Sequence, residues 1–198
     1  MRARPERESV LATPKLSTSA ALIIIDVQKA WDSPGWGTRN NPAAEERIAE
    51  LLAAWRRTGR PVIHVKHDSS SPGSLLSPGT HGNEIKDEVK PLAGEPVISK
   101  NVNSAFIGTD LEKRLRDGGI SEVVITGITA DHCVSTTARM AGNFGFKTFV
   151  VSDAIVAHER TGVHGERYSA DLVLGTSLAS LSEEFAEVVD TKGLLERL

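Results

Sequence analysis

Three side chains in this 198-residue sequence could do covalent chemistry together: a carboxylate, an ammonium and a thiol. Cys133 is the single cysteine. It follows an apolar run, Glu122-Val-Val-Ile-Thr-Gly127, and a short turn, Ile128-Thr-Ala-Asp-His132. A segment that reads as a helix, Val134-Ser-Thr-Thr-Ala-Arg-Met-Ala, comes next. A thiol where a buried strand turns into a helix sits near unpaired backbone N–H groups and the positive end of the helix dipole. That setting favours thiolate, the nucleophilic form. The other reading is a small buried hydrophobe, the common fate of a free cysteine. Asp26 and Lys100 each end another apolar run. A thiol nucleophile needs a base, and a carboxylate in reach can take its proton. A nearby ammonium stabilises both anions, and N–H groups at a helix start can hold an oxyanion.

The elements around these residues determine whether they meet. Ala20-Ala-Leu-Ile-Ile-Ile25 is continuously apolar and suits a strand buried on both faces. After a Pro/Gly/Asn-rich loop from Asp32 to Asn41, Pro42 to Arg57 reads as an amphipathic helix closed by Gly59. Further strands are expected at 61–65, 96–99, 123–125, 147–151 and 185–189. Helices are expected at 111–115, after Cys133, and from about Glu166 to Leu181. Asp68 to Gly82 is a loop rich in Ser, Pro and Gly. Strands alternating with helices predict a doubly wound, mostly parallel six-stranded sheet flanked by helices. In such sheets ligands bind outside the carboxyl ends of the strands. Asp26, Lys100 and Cys133 fall at those ends, and so do His64, His67 and Asp68 near the second strand. Ser152-Asp153 marks the expected end of the fifth strand, with Asp153 a turn or cap residue.

Composition narrows the function. Apolar residues make up 39% and charged residues 25%, ordinary for one globular domain of this size. Residues 1–19 read as a polar arm and 20–198 as a single domain. A net charge of −3 gives no global electrostatic reason to bind nucleic acid or an anionic membrane. A lone cysteine fits a reducing compartment, no apolar h-region follows the charged N-terminus, and a cytoplasmic location is the expectation. No G-x-G-x-x-G follows the first strand, so a dinucleotide-binding domain has little support.

Three stretches carry a family resemblance: Leu22-Ile-Ile-Ile-Asp-Val-Gln28; Lys100-Asn-Val-Asn-Ser-Ala-Phe106, leading into Thr109–Leu115; and Val124-Ile-Thr-Gly-Ile-Thr-Ala-Asp-His-Cys-Val-Ser-Thr-Thr-Ala138. With them the chain resembles the isochorismatase-like cysteine hydrolases, which include nicotinamidases, N-carbamoylsarcosine amidohydrolases, ureidoacrylate and biuret hydrolases, and isochorismatases. The resemblance spans about Ala20 to Asp153. It implies a three-layer α/β/α fold with Asp26 as general base, Lys100 as third triad member and Cys133 as nucleophile. It also implies a non-proline cis peptide at Ile128–Thr129 and an oxyanion site at the N–H groups of Thr129 and Cys133. The implied activity is cleavage of a C–N bond in a small amide, ureido or carbamoyl compound, with no cofactor. The implied assembly is a homo-oligomer, a dimer or higher.

Gln28, Trp31, His67 and Phe106 are candidates for the substrate pocket, and Trp36, His158 and His164 are weaker ones. The metal-binding Asp-x-His of nicotinamidases is missing from His64-Val-Lys-His-Asp-Ser-Ser-Ser-Pro-Gly. The spacing of His64, His67, Asp68 and His81 matches no ligand pattern, so no metal is expected. Two other functions compete. One is vinyl-ether hydrolysis with Asp26 as acid and the thiol dispensable. The other is a non-catalytic small-molecule binder, which retention of all three chemical residues opposes.

Overall fold

The computed structural model describes residues 14–198, so most of the expected polar arm lies outside the described residues. Leu16, from that arm, is buried, and its N–H donates to the Arg197 carbonyl at 2.8 Å. The described chain runs β1 (Ala21–Ile25), α1 (Ala44–Arg57), β2 (Val62–His67), β3 (Val97–Lys100), α2 (Leu111–Asp117), β4 (Glu122–Ile128), α3 (Ser135–Asn143) and β5 (Lys147–Val156). A short hairpin, β6 (Arg160–Thr161) and β7 (Arg167–Tyr168), leads into α4 (Ala170–Leu181), β8 (Glu187–Val189) and α5 (Thr191–Leu195).

Among the described residues six strands form one sheet in the order β3-β2-β1-β4-β5-β8, each parallel to its neighbours. β1 is apolar throughout because it is buried on both faces. Ala21, Ile23 and Ile25 join the core under α2, α3 and α4, with Leu111, Leu115, Ala138, Ala141, Val173 and Leu181. Leu22 and Ile24 join the core under α1 and α5, with Ile48, Leu51, Leu52, Trp55 and Leu194. The three-layer architecture expected from the sequence is the one observed.

The strand order reverses between β1 and β4, which places the topological switch at the carboxyl ends of those two strands. Gly127 makes that junction possible. It sits at φ +129°, and a Cβ there would run into the Ile25 carbonyl oxygen across the β1–β4 pair. Only glycine tolerates both conditions.

Four expectations are corrected. β5 continues past Ser152-Asp153 to Val156, with a register shift against β4 between Ile125 and Gly127. Asp153 therefore lies within the strand, and its Oδ1 accepts from the Thr191 N–H (2.9 Å) and Oγ1 (2.8 Å) at the start of α5. The helix expected from Glu166 begins at Ala170, because 160–168 pair as a hairpin and the Ser169 hydroxyl caps α4 by accepting from Leu172 N–H. Pro42 precedes α1 rather than opening it. Cys133 lies in a π-helical turn, Ala130–Val134, one turn ahead of α3.

Candidate active site

The first strand delivers Asp26 already constrained. It is fully buried at φ +52°, a left-handed conformation that Asp tolerates better than most residues. Its N–H donates to Val65 O (2.8 Å), while its C=O accepts from Gln28 N–H (2.9 Å) and from the Trp31 indole N–H (2.6 Å). The carboxylate is thus aimed by three bonds to its own backbone. Lys100 closes β3, two strands away, so its side chain must cross roughly 10 Å of sheet at ordinary strand spacing. Its Nζ donates to Asp26 Oδ2 (2.6 Å), Cys133 Sγ (3.3 Å) and His67 Nδ1 (3.3 Å).

Asp26, His67 and Cys133 offer donor atoms all within 4.8 Å of one another, a set that could hold a metal ion. The Lys100 ammonium stands among them instead, so the chain itself supplies the cation on which the three groups converge. The other histidines are elsewhere. His64 pairs through Nε2 with Glu95 (3.0 Å), and His81 is exposed beside Glu84.

Protonation follows from burial. The Cys133 thiol is pushed up to about 12, first by burial and then by the negative charge of Asp26, with Lys100 pulling the other way. Burial also raises the Asp26 carboxyl, against the charge and hydrogen bond of Lys100. Both directions favour the neutral form, at Cys133 the thiol, against the thiolate that a helix N-terminus would favour. Cys133 sits before α3 in a buried turn, and burial is the leading cause of the shift. Asp26 Oδ1 is buried without a hydrogen-bond partner among the described residues, and the carboxylate lies close to the sulfur.

The remaining candidates divide. The Ile128–Thr129 peptide is cis, and the Thr129 N–H makes no hydrogen bond among the described residues. His67 is half-buried at the site. Trp31 is half-buried too, packed on Trp36 (centroids 4.5 Å) and on the buried His158 (5.7 Å), and its indole N–H is committed to Asp26. Gln28 and Phe106 are corrected. The Gln28 amide is fully buried and wholly used by backbone: Nε2 donates to His67 O (3.0 Å) and Asn83 O (2.9 Å), and Oε1 accepts from His67 N–H (2.8 Å). Phe106 is buried in the core with its ring against Phe144 (5.2 Å) and Phe146 (6.2 Å). Both therefore hold the site's walls in place. His164 is exposed in the β6–β7 hairpin.

Sequence reasoning passed over Asn103 and Asn83. The exposed Asn103 brings Oδ1 to 4.0 Å from Cys133 Sγ. Asn83 Nδ2 donates to His67 O, Asp68 Oδ1 and Leu76 O, at 2.9, 2.8 and 2.9 Å. Asn103 stands inside the Lys100–Phe106 stretch and could have been flagged by its nearness to Lys100. Nothing local distinguishes Asn83 from an ordinary loop residue.

A parallel sheet with a carboxylate, an ammonium and a thiol at its switch point is the architecture of one hydrolase class. The isochorismatase domain matches residues 20–192, and the chain belongs to the isochorismatase family of hydrolases. It is 49% identical over 175 residues to the isochorismatase family protein YrdC of Bacillus subtilis (strain 168), covering 88% of this chain and 94% of that one. The crystal structure of a protein assigned to the isochorismatase family from Chromobacterium violaceum ATCC 12472 superposes with a TM-score of 0.91 at 44% identity, covering 93% of this chain and 96% of that one. The N-carbamoylsarcosine amidase of an Arthrobacter species is 28% identical over 197 residues, covering 90% of this chain and 70% of that one.

Proposed function

We propose that this hydrolase cleaves a C–N bond in a small amide, ureido or carbamoyl compound through a thioester on Cys133. The observation that carries the reading is a buried Asp26 with one oxygen tied to Lys100 and the other unpaired, beside a thiol that receives the same ammonium. Asp26 takes the thiol proton as sulfur adds to the carbonyl carbon. Because the thiol is not ionised at rest, proton transfer and attack are coupled. The oxyanion rests on the N–H groups of Thr129 and Cys133. Asp26 returns the proton to the leaving nitrogen as the C–N bond breaks. Water, deprotonated by Asp26, then attacks the thioester, releasing the acid and restoring the thiol. Every step uses groups of this chain. The amidase named among the relatives supports the C–N assignment.

A second reading is vinyl-ether hydrolysis, favoured by one observation: burial raises the Asp26 carboxyl, as a general acid requires. Ammonia release from a panel of amides and ureides, read beside intact mass, separates the two. Turnover with an acyl adduct on Cys133, abolished in Cys133→Ala, supports the thioester. Turnover of an enol-ether substrate that survives Cys133→Ala would replace it.

The working form under this reading is a homo-oligomer in a reducing compartment, expected as a single species above monomer mass in light scattering. No helix among the described residues is long and apolar enough to cross a membrane.

A further inference from the structure

We propose that Lys100 fixes the tautomer of His67, so that the imidazole presents its Nε2–H as a neutral hydrogen-bond donor to an acceptor on the substrate beside the Cys133 sulfur. An ammonium can only donate. At 3.3 Å from Lys100 Nζ, His67 Nδ1 must therefore be the acceptor, and the ring proton must sit on Nε2. Burial first, and the charge of Lys100 next, pull the His67 pKa below its ordinary value, so the ring is neutral at physiological pH.

The His67 main chain is held at both ends, which fixes where the side chain starts: its N–H donates to Gln28 Oε1 (2.8 Å), and its C=O accepts from Gln28 Nε2 (3.0 Å) and Asn83 Nδ2 (2.9 Å). Nε2 has no hydrogen-bond partner among the described residues, and the ring is half-buried beside the site. Lys100 thereby acts twice. It pairs with the base and nucleophile directly, and it decides which proton the neighbouring imidazole shows to the substrate.

The substrate role rests on the thioester reading, whereas the tautomer does not. Long-range 15N–1H correlation of histidine-labelled enzyme reads the tautomer, with His67→Gln assigning the signal. A neutral ring protonated at Nε2 is expected. An Nδ1–H ring or an imidazolium at neutral pH would overturn the proposal.

The donor is tested without knowing the substrate, by alkylating Cys133 with 2-chloroacetamide, which carries an acceptor, and allyl chloride, which does not. His67→Gln keeps a donor at the Nε2 position and is expected to leave the ratio of the two rates within about threefold of wild type, whereas His67→Asn loses about tenfold, one hydrogen bond's worth. Equal ratios in wild type and both variants would refute the donor role. A failed amide panel with these results intact would refute the thioester reading alone.

Discussion

Two buried lysine–carboxylate groups in this molecule are built from the same parts and behave in opposite ways. Between the loop that follows β1 and the start of α1, Lys86 Nζ donates to Asp32 Oδ1 (2.5 Å) and Glu45 Oε1 (2.8 Å), while Arg39 grips both oxygens of Glu45 at 2.8 and 2.7 Å. Burial alone would push the Glu45 carboxyl up; the hydrogen bonds and charges of Arg39 and Lys86 overcome it and hold the group at about 2. At the active site one ammonium is shared among a carboxylate, a thiol and an imidazole, and Asp26 Oδ1 has no partner. There burial wins, and both Asp26 and Cys133 are raised. The direction of the shift depends on how many donors each buried oxygen receives. Two cations on one carboxylate make a brace; one cation among three acceptors leaves a site able to accept and return a proton.

The largest test of this contrast is at the unpaired oxygen. Asp26→Asn keeps the shape but removes the base, and kcat/KM for the amide substrate should fall about 10³–10⁴-fold. A loss below tenfold would mean the proton goes elsewhere. Removing the shared cation is next. Lys100→Met leaves a buried carboxylate uncompensated, and urea unfolding should show a loss of about 3–5 kcal/mol.

The brace should respond differently. Glu45→Gln is expected to cost on the order of 3 kcal/mol at neutral pH while leaving kcat unchanged. Because the folded-state pKa is depressed, this stabilisation is complete above the ordinary value of 4.5 and is lost as pH falls towards 2. Acid unfolding of wild type and variant should accordingly converge across that window. Equal sensitivity at pH 7 and pH 3 would break the contrast. The smallest effect is expected at the indole that aims Asp26. Trp31→Phe removes the bond to the Asp26 carbonyl and should lower kcat about tenfold, with little change in KM. A KM effect instead would place Trp31 in the substrate pocket.

Alkylation compares the sulfur with a free thiol. With its pKa near 12, Cys133 should react slowly with iodoacetamide at neutral pH and faster as pH rises beyond the ordinary thiol range. Labelling that is already fast at pH 6 would contradict the neutral resting thiol.

The sheet was legible in the sequence because β1 is apolar at every position and β4 carries the apolar run Val123-Val-Ile125, as strands buried on both faces should. Asp26 and Lys100 were legible as charges ending expected strands. The thiol's protonation was not, because local sequence shows a helix start but not the depth of burial, and here depth decides. Gln28 and Phe106 lie near the right motifs, yet their contacts come from residues tens of positions away, His67 and Asn83 for one, Phe144 and Phe146 for the other. The β6–β7 hairpin has strands too short for any periodic signal.

The Gln28 amide has a consequence for engineering. It joins the two ends of the segment between His67 and Asn83, binding His67 N–H, His67 O and Asn83 O at 2.8, 3.0 and 2.9 Å. The intervening residues, 68–82, form in effect a cassette with both its terminals soldered to the same buried connector. Exchanging that cassette whole while Gln28, His67 and Asn83 stay would leave the anchor points, and with them the His67 backbone, where they are.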